Sequence, residues 1–484
     1  MHEGSGGHPV GAVGGRAGAR RFAAPALIAV AVGQAVLEHG GFSTLARIVF
    51  AALAALAAAA ALLARGRPAV RAARHPFVGV LLGLAALGVM SGLWTVGLPE
   101  DVLTWALLPA GYALLAVAAI AAPDPAAVRS AVLFALCLCA FISGFVGLLG
   151  AATFSDPQAF RPTGAWRPAG TLEYTPALAL LEVCALPALL RALCARGRIA
   201  WLAATPAVVA GAVLGLSHSR LGVGLAAAVI TGVLVAPHFT LRVSRREAVA
   251  AVSLVVCAGV AARAVLGGPV PLGAEGQGWR VVVVVAACLC APAAWAAIGL
   301  LARRWSSIVV ACSIAGVIAG GTVGGFAGSL APGASGATTA APHQVRTRPA
   351  NNDVLHGRRA IWDAGLEAFR QRPLEGHGAA GFLTATLELQ PRPVTTYAHA
   401  LPLELGVELG LAGLLLAIGL YVVPIRACWR ARAARDSWLL IVPVLAFLIA
   451  NLVDWPWHIA GLGAVWAAAT GAVIGAGRVS CRSL

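Results

Sequence analysis

The chain has 484 residues, of which 60% are hydrophobic and only 11% are charged, and its formal net charge is +16. A soluble globular protein carries about 25% charged residues, so this composition excludes that class and predicts a membrane protein. All 35 basic residues are arginine. Most of them lie in short loops between apolar stretches, as the positive-inside rule requires, so the charge does not predict a nucleic-acid partner.

Apolar stretches long enough to cross a membrane recur along nearly the whole chain. They predict an all-α fold, a polytopic transmembrane helix bundle of about 12 to 14 spans. The spans are predicted at 22–38, 44–64, 77–95, 102–122, 129–152, 173–190, 200–217, 221–237, 247–266, 280–301, 305–328, 400–424, 437–453 and 459–477. Two alternatives stay open: the pair flanking Arg220 forms one kinked helix, or the last two spans form a re-entrant pair around 454–458.

The arginine-rich loops are predicted to face the cytoplasm, and the arginine-poor loops between them, 39–43, 96–101 and 267–279, to face outside. The longest loop then lies outside as well, since long segments cross the membrane regardless of charge. The predicted domains are a cytoplasmic N-terminal tail (1–21), transmembrane helices one to eleven (22–328), a large extracytoplasmic loop (329–399), C-terminal transmembrane helices (400–477) and a cytoplasmic tail (478–484).

The large loop has two parts. Residues 331–352 are rich in Pro, Ala, Thr and Gly and predict a mobile linker. Residues 356–372 predict an amphipathic helix, because Ile361, Trp362 and Phe369 fall near helical spacing among charged residues and Pro373 follows. We expect this helix to lie at the membrane surface or over a cavity.

Several motifs of enzymes and pumps are absent from the sequence. There is no GxxxxGK[ST] of an ATP-driven pump, no DxD of metal-bound nucleotide-sugar chemistry and no HExxH zinc motif. The ten cysteines form no CxxC pair and are interpreted as apolar core residues. The sequence therefore predicts neither a metal site nor a cofactor.

Arginine, histidine and carboxylate side chains concentrate in 358–413. Ionisable groups at membrane depth are costly, so they are functional candidates. Gly376 and Gly378 are expected to make a tight turn. Outside this segment, Asp454 and His458, flanked by tryptophans, are expected to be interfacial anchors.

Three patterns in this segment resemble the O-antigen ligase/polymerase family. They are Arg-x3-Trp at 358–362, Pro-Leu-x-Gly-x-Gly-x2-Gly-Phe at 373–382 and Ala-His-x3-Leu-Glu-x3-Glu-x-Gly-x2-Gly at 398–413. Upstream, Ser217-His-Ser-Arg-Leu-Gly222 and Arg167-Pro-Ala-Gly-Thr-Leu-Glu-Tyr174 are similar to two further elements of that family. The chain departs from the family at Ala400, where members often have Asn after the His.

The resemblance implies a metal-independent glycosyltransferase in the bacterial inner membrane, with its active site facing the exterior. Its partners would be an undecaprenyl-pyrophosphate-linked glycan donor, a glycan, lipid or protein acceptor, and membrane lipids. It implies catalytic roles for Arg220 and Arg358, which would neutralise the pyrophosphate, and for His399, as a general base or a pyrophosphate ligand. The implied substrate-binding residues are Arg167, Arg359, Trp362, Gly376, Gly378, Glu404 and Glu408.

Other interpretations of the same residues remain. Arg220 also fits a helix end at the membrane interface, and Arg358 with Arg359 fits a solvated helix face. A transporter or flippase of lipid-linked glycans is the alternative function. It shares the many spans, but no internal repeat of the kind found in transporters is detectable. A non-catalytic scaffold would not explain why Arg, His and Glu converge on one loop. The motifs do not separate a ligase from a polymerase.

Overall fold

A computed structural model describes residues 12–65, 70, 74–161, 165–195, 197–268, 278–304, 357–434 and 436–480. The predicted span 305–328 and the predicted linker 331–352 lie outside these ranges. So do the first residues of the predicted N-terminal tail and the last four residues of the chain.

The described chain is almost entirely helical. Thirteen of its helices coincide with predicted spans, and one more, α11, follows the predicted amphipathic helix. The helices are α1 (Ala12–Leu37), α2 (Thr44–Arg65), α3 (Pro76–Ser91), α4 (Pro99–Ala121), α5 (Pro125–Thr153), α6 (Thr175–Leu193), α7 (Arg198–Ser217), α8 (Arg220–Val235), α9 (Arg245–Leu266), α10 (Gly278–Arg304), α11 (Arg358–Gln371), α12 (Leu401–Ala431), α13 (Trp438–Ala450) and α14 (Ala460–Ser480). The shorter elements are helical turns at His39–Gly41, Gly170–Leu172, Pro237–Thr240, Phe382–Thr386 and Pro456–His458, and the two-residue strands β1 (Ala159–Phe160) and β2 (Arg167–Pro168).

Within the described ranges, nine helices are long and apolar enough to cross a membrane, and four shorter apolar helices accompany them. The predicted all-α polytopic bundle is confirmed. Many of the outward-facing side chains are large and apolar, for example Leu138, Leu289 and Ile418. Such a surface suits lipid, because lipid tails do not penalise exposed apolar groups as water does.

The helix boundaries follow from local sequence. Proline at the first helical turn begins α3, α4 and α5, where its missing N–H leaves no hydrogen bond unmade. Asp124 accepts hydrogen bonds from the first amides of α5, and Ser244 with Glu247 forms a capping box at α9. At Arg220 the chain forms two helices rather than one, because His218 adopts a left-handed conformation and Ser219 caps α8.

The connections that the arginine distribution predicts on one side of the membrane meet at one end of the bundle, called here the site end. The Val96 amide donates to the His377 carbonyl at 2.9 Å, and the Leu401 amide to the Asn451 carbonyl at 2.8 Å. Arg47, buried in the first turn of α2, donates to carbonyls of Gly41, Thr104 and His458 at 3.2–3.3 Å. The site end is therefore a connected layer of loops over the helices. Its location outside the cell stays a prediction.

Candidate functional site

The amphipathic helix α11 carries Arg358 in its first turn and is fastened to the segment before α12. The indole Nε1 of Trp362 donates to the Ala398 carbonyl at 3.0 Å. Ile361 and Ala368 pack with Phe382, Ala398 and Val407 in a small apolar cluster. Since Arg358 and Trp362 are four residues apart, they share one face of the helix. The Trp362 bond therefore fixes Arg358 relative to the neighbouring His399.

The loop at 373–382 packs into a break in α12. Gly410 has φ +62°, which interrupts the helix. The amides of His377 and Gly378 donate to the carbonyls of Val407 and Glu408 just before this break, at 2.9 and 2.7 Å. A Cβ on Gly376 would lie 2.4 Å from the Glu408 carbonyl oxygen, and one on Gly378 would lie 2.3 Å from the Thr95 Cα. Both glycines thus allow close contact between backbones, as the expected tight turn requires.

His399 sits immediately before α12 in a left-handed conformation, with φ +53°, which is uncommon for a residue with a side chain. The surrounding bonds hold this conformation, since the Ala398 amide donates to Glu404 Oε2 at 2.9 Å while the Ala398 carbonyl binds Trp362. The His399 Nδ1 lies 3.1 Å from the Tyr397 carbonyl oxygen. A carbonyl only accepts, so Nδ1 carries the hydrogen and Nε2 keeps its lone pair.

The electrostatic surroundings favour a neutral His399. Burial lowers the pKa of His399, and the positive charge of Arg358 acts in the same direction, whereas the negative charges of Asp454 and Glu404 oppose them. An imidazole with a lowered pKa is unprotonated at neutral pH and can accept a proton.

Asp454 lies at the site end and is only 6% exposed. Its carboxylate accepts from the Tyr174 hydroxyl at 3.0 Å and from the Trp455 amide at 3.0 Å, and Arg358 Nη2 lies 3.8 Å away. Burial, followed by the charge of Asp454, raises the pKa of Tyr174, so this hydroxyl remains a donor. The ion pair orients Arg358, and at 3.8 Å it is too long for a hydrogen bond, so the guanidinium keeps N–H groups for a ligand.

Glu404 and His458 form a second buried pair. His458 Nε2 binds Glu404 Oε1, and both side chains are at most 5% exposed. The ring of Tyr397 stacks on His458 at 4.0 Å between centroids and on Trp455 at 5.2 Å. Glu404 and His458 therefore support the loop that carries His399. Asp454 and His458, which the sequence predicted to be interfacial anchors, are both buried, and their depth in the membrane stays a prediction.

The remaining predicted residues take different positions. Arg220 is exposed and begins α8. Its neighbours Leu221 and Gly222 line a small apolar cavity of about 10 Å³ that Tyr174 and Asp454 also line. The start of α8 therefore packs near Tyr174 and Asp454.

The other predicted substrate-binding residues include Arg167, Arg359 and Glu408. Arg167 is half-buried on β2, and burial together with the positive charge of Arg263 lowers its pKa. Arg359 points from α11 as an exposed residue. Glu408 is 2% exposed, and its Oε1 accepts from the Phe382 amide at 3.4 Å, so it holds the 373–382 loop.

Five residues of this arrangement were not among the predicted site residues: Arg47, Tyr174, Tyr397, Asp454 and His458. The sequence alone indicates Arg47, because an arginine inside an apolar span is a functional candidate. Asp454 and Tyr174 had no local signal for their pairing, since 280 residues separate them. Among the described residues, no group of three or more His, Cys, Asp or Glu is arranged to hold a metal ion. The absence of a metal from the reaction stays a prediction.

Comparison with known proteins supports the resemblance. Residues 278–418 match the family model described as O-Antigen ligase. This segment runs from the start of α10 into α12 and contains Arg358, Trp362, His399 and Glu404. Arg220 and Asp454 lie outside it. No curated protein matches the chain. On a multi-pass helical bundle, this segment is therefore similar to the O-antigen ligase family.

Proposed function

We propose that the protein transfers a glycan from undecaprenyl pyrophosphate to an acceptor hydroxyl on a lipid, a glycan or a protein. The reaction takes place at the outer face of the inner membrane and needs no metal ion. The observation that carries the proposal is the joining of α11 to the segment before α12, which brings a preoriented arginine, Arg358, and a neutral histidine, His399, to one end of the bundle. The family match over the same segment supports it.

The two arginines neutralise the pyrophosphate. A lipid pyrophosphate is a good leaving group when its negative charge is balanced, and the planar guanidinium grips phosphate oxygens in pairs. Asp454 holds Arg358 in place before the donor binds. Arg220, at the start of α8, supplies the second charge, and the helix N-terminus there also favours an anion.

His399 takes the proton of the acceptor. The acceptor oxygen attacks the anomeric carbon, and the bond from that carbon to the pyrophosphate oxygen breaks. The electron pair leaves with the pyrophosphate, which Arg220 and Arg358 stabilise, and the hydroxyl proton passes to Nε2 of His399. The bond from Nδ1 to the Tyr397 carbonyl holds the ring with Nε2 available.

Purified protein, reconstituted in lipid, provides the test. It is given an undecaprenyl-pyrophosphate glycan and acceptors carrying free hydroxyls, and glycan-acceptor product is measured. We expect product with the wild type, and a loss of about 10²–10³ in rate with Arg358→Ala. His399→Ala is expected to lose activity to a similar extent.

The matched control is Arg370→Ala on the same helix. Arg370 is 70% exposed and pairs with Glu367 one turn away, so its loss leaves the site intact. Wild-type rates in folded Arg358→Ala and His399→Ala proteins would refute the proposed roles. The absence of product with every acceptor, together with movement of intact donor across the bilayer, would support a transporter instead.

A further inference from the structure

A second group of basic residues lies at the site end, apart from Arg358 and His399. Arg167, His218 and Arg263, called here the basic cluster, come from β2, the α7–α8 junction and the last turns of α9. The Arg263 Nη1 donates to His218 Nε2 at 3.0 Å. Its other contact within the described ranges is the Gly215 carbonyl at 3.5 Å. Neither partner is a carboxylate.

A close crossing of α7 and α9 creates this arrangement. A Cβ on Gly211 would lie 2.2 Å from the Val255 carbonyl oxygen, and one on Gly215 would lie 2.3 Å from that of Gly259. The contacts advance four residues at a time along both helices. The next step along α9 is Arg263, which therefore meets the end of α7 at His218. Small residues at a helix crossing permit such close backbone contact.

The fold holds the three basic groups together although their positive charges repel one another. Burial, and then the positive charges of Arg263 and Arg167, lower the pKa of His218 to about 4. Burial and Arg263 also lower the pKa of Arg167. Fixed groups of like charge with perturbed pKa values are typical of functional sites. An anion bound between them would remove the repulsion.

The position of the cluster identifies the class of anion. His218 is two residues before Arg220, which the proposed function assigns to the donor pyrophosphate. Two guanidinium groups and an imidazole offer several N–H donors, and guanidinium matches the geometry of phosphate oxygens. A phosphate group of a substrate would reach the cluster while its neighbouring phosphate or sugar contacts Arg220.

We propose that the basic cluster is a second phosphate-binding subsite beside Arg220. The inference rests on the proposed function for the identity of the substrate. The phosphate has two sources: the second phosphate of the donor pyrophosphate, or a phosphate carried by the acceptor.

Direct binding of inorganic pyrophosphate to the full-length protein in lipid nanodiscs tests the subsite without requiring transfer. Loss of one charge-assisted contact should weaken binding, so Arg263→Gln is expected to raise the Kd about tenfold or more. Arg263→Lys should have a smaller effect, and Arg370→Gln, with its exposed side chain, should have none. An unchanged Kd in folded Arg263→Gln protein overturns the proposal. If Arg263→Gln does not fold, Arg167→Gln replaces it in the same binding measurement. An unchanged Kd for pyrophosphate in folded Arg167→Gln protein then overturns the proposal.

Steady-state kinetics of Arg263→Gln then identify the source of the phosphate. A raised KM for the donor, with any acceptor, assigns the subsite to the donor. A raised KM for a phosphorylated acceptor, absent after phosphatase treatment of that acceptor, assigns it to the acceptor. A protein that binds pyrophosphate through Arg263 but transfers no glycan would retain the subsite and refute the proposed function, so the two failures are distinguishable.

Discussion

Replacing Trp362 by phenylalanine tests whether α11 positions the catalytic groups. The ring still packs, but the 3.0 Å bond from Nε1 to the Ala398 carbonyl is lost. Ala398 is fully buried, and a buried polar group without its partner costs about 1–3 kcal/mol. Because about 1.4 kcal/mol changes an equilibrium constant tenfold, this cost corresponds to a change of about 5- to 150-fold in the equilibrium between the positioned and the displaced α11.

Part of this cost lowers the free energy of unfolding. The rest makes the position of Arg358 relative to His399 less well defined. We therefore expect kcat to fall about tenfold for Trp362→Phe, while the KM for the donor changes less, because the arginines remain. The assay is steady-state transfer by reconstituted protein. Trp429→Phe is the control, since Trp429 is exposed near the opposite end of α12. A wild-type kcat in folded Trp362→Phe protein would refute the positioning argument.

Three further predictions concern charge. Arg358→Lys and Arg220→Lys should keep more activity than the alanine variants yet remain impaired, because lysine retains the charge without the planar fork; equal rates for Lys and wild type would contradict this. The rate should fall as the pH drops through the lowered pKa of His399, and Asp454→Asn should move that fall to still lower pH, because the Asp454 charge raises the pKa of His399; a shift to higher pH would count against the assignment. Transfer should persist in EDTA, and activity lost there and restored by Mg²⁺ or Mn²⁺ would contradict charge neutralisation by arginine alone.

Local sequence predicted the helices well. Apolar runs of about 20 residues specify spans, and thirteen predicted spans are helices. The amphipathic spacing of Ile361, Trp362 and Phe369 similarly predicted α11, with boundaries within two residues of Arg358–Gln371.

The contacts within the candidate site were predictable only where its residues are close in sequence. Arg358, Trp362 and His399 were predicted together, from family-like patterns. The pairings of Asp454 with Tyr174 and of Glu404 with His458 arise from helix packing, which periodicity does not encode. The tryptophans beside Asp454 favoured an interfacial interpretation. The fold buries Asp454 and His458 and packs Trp455 against Tyr174 and Tyr397, and the interfacial position of this segment stays a prediction.

The stoichiometry of donor cleavage tests the central claim most directly. Reconstituted protein is supplied with donor and acceptor, and released undecaprenyl pyrophosphate is measured together with glycan-acceptor product. A glycosyltransferase releases one lipid pyrophosphate for each glycan transferred, and Arg358→Ala should reduce both quantities in parallel. Donor that remains intact while its glycan changes sides of the membrane would contradict the account.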